Sequence, residues 1–196
     1  MQDGDDITRL KEDTVFETAA GGRTLRLHST WGLFSPKQVD DGSRLLLDHV
    51  DPAGAEAILD VGCGCGVLGL ALACRAPGAR VDLVDKDFVA VDYAQANAQR
   101  NGLDRCRAFL SNGFSRVDEA RYDLIVSNLP AKVGRELLHI LVADARAHLK
   151  PGGRFCVVTI SGLRQFIKRS FTETFGSYDK LKQGRAHTVS QATYAP

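Results

Sequence analysis

From residue 57 onward, short apolar runs alternate with longer stretches of helical apolar spacing. Ile58, Leu59 and Val61 put apolar side chains at odd and even positions alike, the pattern of a strand buried on both faces inside a parallel sheet. The same reading predicts strands over 57–61, 80–85, 106–110, 122–127 and 154–160, and helices over 66–75, 87–101, 134–149 and 162–175. Gly102 closes the second of these helices, and Lys150-Pro151-Gly152-Gly153 reads as a helix stop and tight turn. Two strands near 177–182 and 186–193 are predicted to add an antiparallel edge. Upstream, residues 14–19 and 23–28 flank Gly21-Gly22 as a hairpin. Ser35-Pro36 opens a helix running through Val50, with Pro at its first position and Leu45 to Leu47 on its apolar face. The prediction is an α/β fold: a doubly wound, mostly parallel sheet of seven strands with an antiparallel C-terminal edge, preceded by a small hairpin plus helix. Residues 1–13 are expected to be flexible, 14–50 to pack on the core, and 51–196 to form one compact domain.

Composition narrows the class without choosing a function. At 196 residues, 44% hydrophobic and 25% charged, the chain has enough apolar surface for a proper core and is neither disordered nor fibrous. No apolar run reaches membrane-spanning length, and the acidic start MQDGDDITRLKEDTV is unlike a secretory signal, so a cytoplasmic protein is expected. The cysteines at 63, 65, 74, 106 and 156 show no paired zinc spacing, and no metal is expected. A formal net charge of +1 is ordinary, but its distribution is not. The first twenty residues hold six carboxylates against two cations, whereas residues from 151 on hold seven cations against two carboxylates. This basic C-terminal stretch is suited to attract phosphates, and equally to keep a helix face and edge strands soluble.

The chemistry concentrates at strand ends. Asp60 closes the first buried strand, and Gly62, Gly64 and Gly66 follow at once, letting bare N–H groups and a helix N-terminus approach a ligand. Cys63 and Cys65 fill the variable positions of that loop. Nineteen residues past Gly66, Asp85 ends the next strand, where a carboxylate accepts both ribose hydroxyls of an adenosine. Gly64 to Gly69 also fits the dinucleotide pattern GxGxxG in a shifted register. Asp60 argues for a different ligand: so near the first glycine, a carboxylate would hold a cationic amino group and repel a pyrophosphate.

Asn128-Leu129-Pro130 ends the strand YDLIVS, and with the glycine loop it resembles class I S-adenosylmethionine-dependent methyltransferases that modify amino nitrogens. Phe34-Ser35, Asp41-Gly42-Ser43, Ser111-Asn112-Gly113-Phe114-Ser115 and Ser127-Asn128-Leu129-Pro130 are similar to the small methyltransferase domain of the ribosomal RNA small subunit methyltransferase C family, from about Gly32 onward. The resemblance implies a Rossmann-like methyltransferase fold and S-adenosyl-L-methionine as cofactor. It assigns Asp60, Gly62, Cys63, Gly64, Gly66, Asp85, Lys86, Asn112, Gly113 and Asn128 to the cofactor. It further implies methyl transfer to an exocyclic amine, foremost guanine N2 of ribosomal RNA.

Such a transfer needs the nitrogen lone pair aimed at the methyl while its hydrogens are held elsewhere. The Asn128 side-chain carbonyl and the Leu129 main-chain carbonyl, stiffened by Pro130, would each take one N–H of a planar amine, making these three residues the catalytic set. Where the family has Pro-Pro-aromatic after the Asn, this chain has Leu129, Pro130 and Ala131, so the residue that would stack on a flipped base is missing. Trp31, Phe34 and Phe114 are the remaining aromatic candidates, and Lys132 is placed to meet a phosphate. Other readings stay open: a protein amide or small-molecule amine as acceptor, a catalytically silent cofactor- or RNA-binding module, and a short-chain dehydrogenase using Tyr178-x-x-x-Lys182.

Overall fold

The computed structural model describes Ile7 and residues 12–117 and 121–195, so most of the segment expected to be flexible lies outside the described residues. Strands β1 (Thr14–Ala20) and β2 (Arg23–Ser29) pair antiparallel around Gly21 and Gly22, both with positive φ, the twist that joins two strands by a two-residue turn. Helix α1 spans Asp41–His49. There follow β3 (Ala57–Val61), α2 (Val67–Arg75), β4 (Arg80–Asp85), α3 (Phe88–Arg100), β5 (Cys106–Leu110) and β6 (Tyr122–Asn128). Helix α4 (Arg135–His148), β7 (Leu149–Ile160), α5 (Arg164–Phe175), β8 (Asp179–Gln183) and β9 (His187–Thr193) complete the chain.

The seven-stranded sheet has the order β5-β4-β3-β6-β7-β9-β8, parallel from β5 to β7, with β9 antiparallel to both its neighbours. Strand β3 is buried at every residue, as its two-faced apolar run predicted. Ile58 belongs to the core shared with α1, α2, α3 and the hairpin, whereas Leu59 and Val61 belong to the core shared with α4 and α5. The chain runs from β3 outward through β4 and β5, then returns to β6 on the other side of β3. That reversal opens a crevice at the carboxyl ends of β3 and β6, where ligands of open α/β sheets bind.

Two boundaries differ from the expectation. Residues 31–40 form turns, and α1 starts only at Asp41. Ser35, at φ 47, cannot begin a helix, and Asp40 supplies the cap instead: its Oδ1 accepts from the Gly42 and Ser43 N–H groups at 2.9 and 3.1 Å. The segment 150–153 belongs to β7, where the register with β6 shifts between Tyr122 and Leu124. Gly152 N–H donates to the Tyr194 carbonyl at 2.7 Å and Tyr194 N–H to the Gly153 carbonyl at 2.8 Å, so the glycines bend a strand that pairing continues to hold.

Side chains of α3 fasten the hairpin. Asn97 exchanges two bonds of 2.8 Å with the backbone of His28, and Asn101 does the same with Arg26 at 3.0 and 2.9 Å. Asn97 Nδ2 also donates to the Cys65 carbonyl at 2.9 Å, which ties the glycine loop to the same helix. Every polar atom of this wholly buried amide therefore has a partner, as burial demands.

Candidate active site

The turn after β3 is shaped by three glycines with positive φ: Gly62 at 75°, Gly64 at 54° and Gly66 at 95°. Gly62 and Cys63 N–H groups both donate to the Val84 carbonyl, at 2.8 and 3.0 Å, and Gly66 N–H to the Cys63 carbonyl at 2.9 Å. A Cβ on Gly62 or Gly64 would project into open space, whereas one on Gly66 would press Leu70 at 2.9 Å. The first two glycines thus leave a cradle on the outer side of the loop, and the third lets α2 pack closely.

Asp60 lies beneath that loop with no exposed surface. Its Oδ2 accepts the Gly69 N–H of α2 at 2.8 Å, and its Oδ1 is buried without a partner. Burial pushes its pKa up to about 7, against the lowering effect of the Gly69 bond, with the nearby Asp85 charge raising it further. A buried carboxylate oxygen lacking a donor is costly unless a cation arrives to meet it. Asp85 is half-buried: Oδ2 accepts from Gly64 N–H at 2.9 Å and Oδ1 from Asp87 N–H at 3.0 Å. Each oxygen keeps a lone pair for a hydroxyl donor. The cap of α3 is Asp87, whose Oδ1 accepts from Val89 N–H at 2.9 Å, so Asp85 is free of that duty.

Asn128 ends β6 across the crevice from Asp60. Its Nδ2 donates to Asp40 Oδ1 at 3.1 Å and to Ser43 Oγ at 3.0 Å, so both amide hydrogens are engaged by the first turn of α1 and Oδ1 is the end left to accept. Leu129 buries its side chain and donates its N–H to the Val158 carbonyl at 3.0 Å, which fixes the chain as it enters the exposed Pro130. Two amide carbonyls on a rigid strand end, beside a glycine cradle with an unmet carboxylate, can orient an amine against a bound nucleoside-type cofactor.

A sequence model of the methyltransferase small domain matches residues 24–191. The chain belongs to this methyltransferase family. It is 37% identical to YbxB of Bacillus subtilis over 129 residues, covering 65% of this chain and 64% of that one. It is 38% identical to the ribosomal RNA small subunit methyltransferase C of Klebsiella pneumoniae over 184 residues, covering 89% of this chain and 53% of the relative. Among solved structures it is similar to the T. thermophilus 16S rRNA N2 G1207 methyltransferase in complex with AdoMet and guanosine, with a TM-score of 0.83 and 31% identity, covering 93% of this chain and 50% of that one. The chain spans about half the length of these methyltransferase C relatives.

In this methyltransferase small domain the expected strand-end residues Asp60, Asp85, Asn112 and Asn128 all stand at or just beyond the carboxyl ends of sheet strands. Lys86 is exposed in the turn after β4. Asn112 is exposed in a tight turn, where its N–H donates to Ser115 Oγ at 3.2 Å and Ser111 Oγ donates to the Gly113 carbonyl at 2.8 Å. Gly113 has φ 58, and a Cβ there would meet Leu141 at 3.0 Å. Trp31 and Phe34 are 63% and 71% exposed, so neither is core. Phe114 is no stacking platform: it is buried 5.0 Å from the His148 ring, packed beneath α4. Lys132 is exposed just beyond Pro130. All five cysteines are free and buried, and among the described residues no cluster of His, Cys, Asp or Glu could hold a metal ion. No described helix is long and apolar enough to cross a membrane. Tyr178 and Lys182 lie before and on the edge strand β8, not on one helix turn as a dehydrogenase pair would. In the sequence Ser43 stands out only within the family-like stretch Asp41-Gly42-Ser43 and Asp40 not at all, because their bonds to Asn128 depend on α1 meeting β6 across about 85 positions.

Proposed function

We propose that this chain is an S-adenosylmethionine-dependent N-methyltransferase acting on the exocyclic amine of guanine in ribosomal RNA. One observation carries the reading: Asn128 has both amide hydrogens engaged and its side-chain carbonyl left to accept, on the strand next to the glycine loop beneath which Asp60 is buried. The unpartnered Asp60 Oδ1 suits the cofactor's amino group, the open side of Gly62 and Gly64 suits its amino-acid portion, and Asp85 suits the ribose hydroxyls. When bound, this cofactor supplies a methyl group on a sulfonium. The protein's own part is orientation. Asn128 Oδ1 and the Leu129 carbonyl each accept one N–H of the planar amine, which turns the nitrogen lone pair away from the ring and toward the methyl. Holding reactants in line contributes up to roughly 7 kcal/mol or more to such a step, so no metal or covalent nucleophile is required of these residues.

Guanine in RNA, over a protein amide or small amine, is supported by the relatives' substrates and by surface charge. Arg164, Lys168 and Lys180 line a hollow of roughly 320 Å³ with Gln165 and Tyr178. None of these cations has a carboxylate within ion-pair distance among the described residues. Exposed Trp31 and Phe34, in the turns leading to α1, are the aromatic surfaces left to meet a base where Ala131 offers none. A cytoplasmic location follows from this reading. The test is titration calorimetry with S-adenosylmethionine and with NAD, followed by mapping of tritiated methyl on ribosomal RNA. Binding of NAD without S-adenosylmethionine, or label on protein alone, would end the proposal.

A further inference from the structure

We propose that Asp40 and Ser43 are positioning residues that lock the orientation of the Asn128 amide, an inference that rests on the methyltransferase reading above. A primary amide can turn over by 180° and exchange its carbonyl for its NH₂ group with little change in shape. Turned over, Asn128 would point donors at the donors of the substrate amine, and the lone pair would lose its guide. The bond from Nδ2 to Asp40 Oδ1 (3.1 Å) selects the orientation that leaves Oδ1 as the acceptor, because a carboxylate can only accept, and Ser43 Oγ (3.0 Å), able to give or take a hydrogen, is held as the second acceptor for the same NH₂ group.

The clamp is itself held rigid. Asp40 Oδ1 accepts the Gly42 and Ser43 N–H groups as the cap of α1, which fixes the carboxylate before Asn128 reaches it. Ser43 is buried in the first turn of that helix. Gly42 packs closely here, since a Cβ would lie 3.0 Å from Asp40 Oδ1 and 3.3 Å from the His187 ring of β9 and would push the capping carboxylate aside. The start of α1 thus packs over β7 and β9 while its cap reaches Asn128 at the end of β6. The Asp40 charge adds a second effect: an anion facing the NH₂ end draws positive charge there and leaves Oδ1 a stronger acceptor. Capping alone needs only the two backbone N–H bonds; the third bond, to Asn128, is what the cap does not explain.

The test uses the full chain and variants chosen to keep α1 intact. Ser43→Ala removes one anchor while placing a good helix former in the helix, Ser43→Thr restores a hydroxyl, and Asp40→Ser keeps a capping oxygen but removes the charge. With the loss of one hydrogen bond as the scale, Ser43→Ala should slow single-turnover methyl transfer by about three- to tenfold and leave S-adenosylmethionine affinity unchanged. Ser43→Thr should recover most of the rate, and Asp40→Ser should slow transfer at unchanged cofactor affinity. In Asn128→Ala the two anchors have nothing to hold, so adding Ser43→Ala should cause no further loss. Independently of activity, the Asn128 side-chain NH₂ protons should exchange slowly in the natural protein and faster in Ser43→Ala. A wild-type rate in Ser43→Ala, or a double variant whose loss is the product of the two single losses, would overturn the proposal. So would fast exchange in the natural protein. Failure of Asn128→Ala to slow transfer would instead overturn the catalytic reading beneath it.

Discussion

Because Asp60 is wholly buried with one oxygen unmet and a pKa of about 7, cofactor binding is predicted to expel a proton from it. The shift from 3.8 to about 7 corresponds to about 4 kcal/mol disfavouring the carboxylate in the ligand-free protein. The sign follows from proton counts. Between about pH 4 and pH 7 the folded state holds a proton that the unfolded chain has released, so the stability that this group contributes to the ligand-free protein is full below about pH 4 and is lost as pH rises to about 7. An ammonium beside Oδ1 reverses the preference and returns the group to its ionised form. Below pH about 7 most of the sites are protonated, so binding there should release the larger part of a proton per cofactor, and the release should fade as pH rises well above 7. Titration calorimetry in buffers of different ionisation heat reads that number directly. Asp60→Asn, which keeps an acceptor for Gly69, subtracts protons moved by the cofactor and other groups, and should bind at least about tenfold more weakly at about pH 8. Equal proton release by the natural protein and Asp60→Asn at about pH 6 would refute the assignment of Asp60 to the amino group.

Three further outcomes are expected. Asn128→Ala should reduce kcat at least about tenfold, or about 1.4 kcal/mol of barrier, read by single-turnover methyl transfer at saturating cofactor. Gly69→Ala would set a Cβ 2.8 Å from Leu83 and 3.1 Å from Asp60 Cβ; this overpacking should cost about 1–3 kcal/mol in urea denaturation. Replacing Arg164 and Lys168 by Glu should weaken RNA binding and flatten the dependence of log affinity on log salt by about 1–2 in filter-binding assays, with cofactor affinity unchanged.

The central sheet was legible because two-faced burial leaves a distinct trace: no polar residue interrupts Ile58-Leu59 in β3 or Leu83-Val84 in β4, and glycines punctuate the turns that follow. Asp60, Asp85 and Asn128 were legible as site candidates because each directly follows or ends such a run. Local rules failed where a distant contact decided the outcome. Ser35-Pro36 has the look of a helix start, yet Asp40 wins because its carboxylate satisfies two helix N–H groups and Asn128 together. Phe114 stands among residues of the cofactor side, but its ring turns inward onto His148, which no spacing in the sequence announces. The Pro-Gly-Gly stretch reads as a loop until pairing with Tyr194, far along the chain, draws it into β7.

The bonds from Asn97 to both His28 and Cys65 bear on where the smallest fragment that keeps the glycine loop in place begins. The family match starts at residue 24, inside the hairpin, but physics sets the border earlier. A fragment trimmed there would lack β1, expose the apolar underside of β2 where Leu25 and Leu27 now face the core, and loosen the strand against which Asn97 braces the cofactor turn. The hairpin is thus an outrigger of the loop, and Asp13, whose carboxylate meets both His28 and Tyr93, extends its attachment to α3 one residue further upstream.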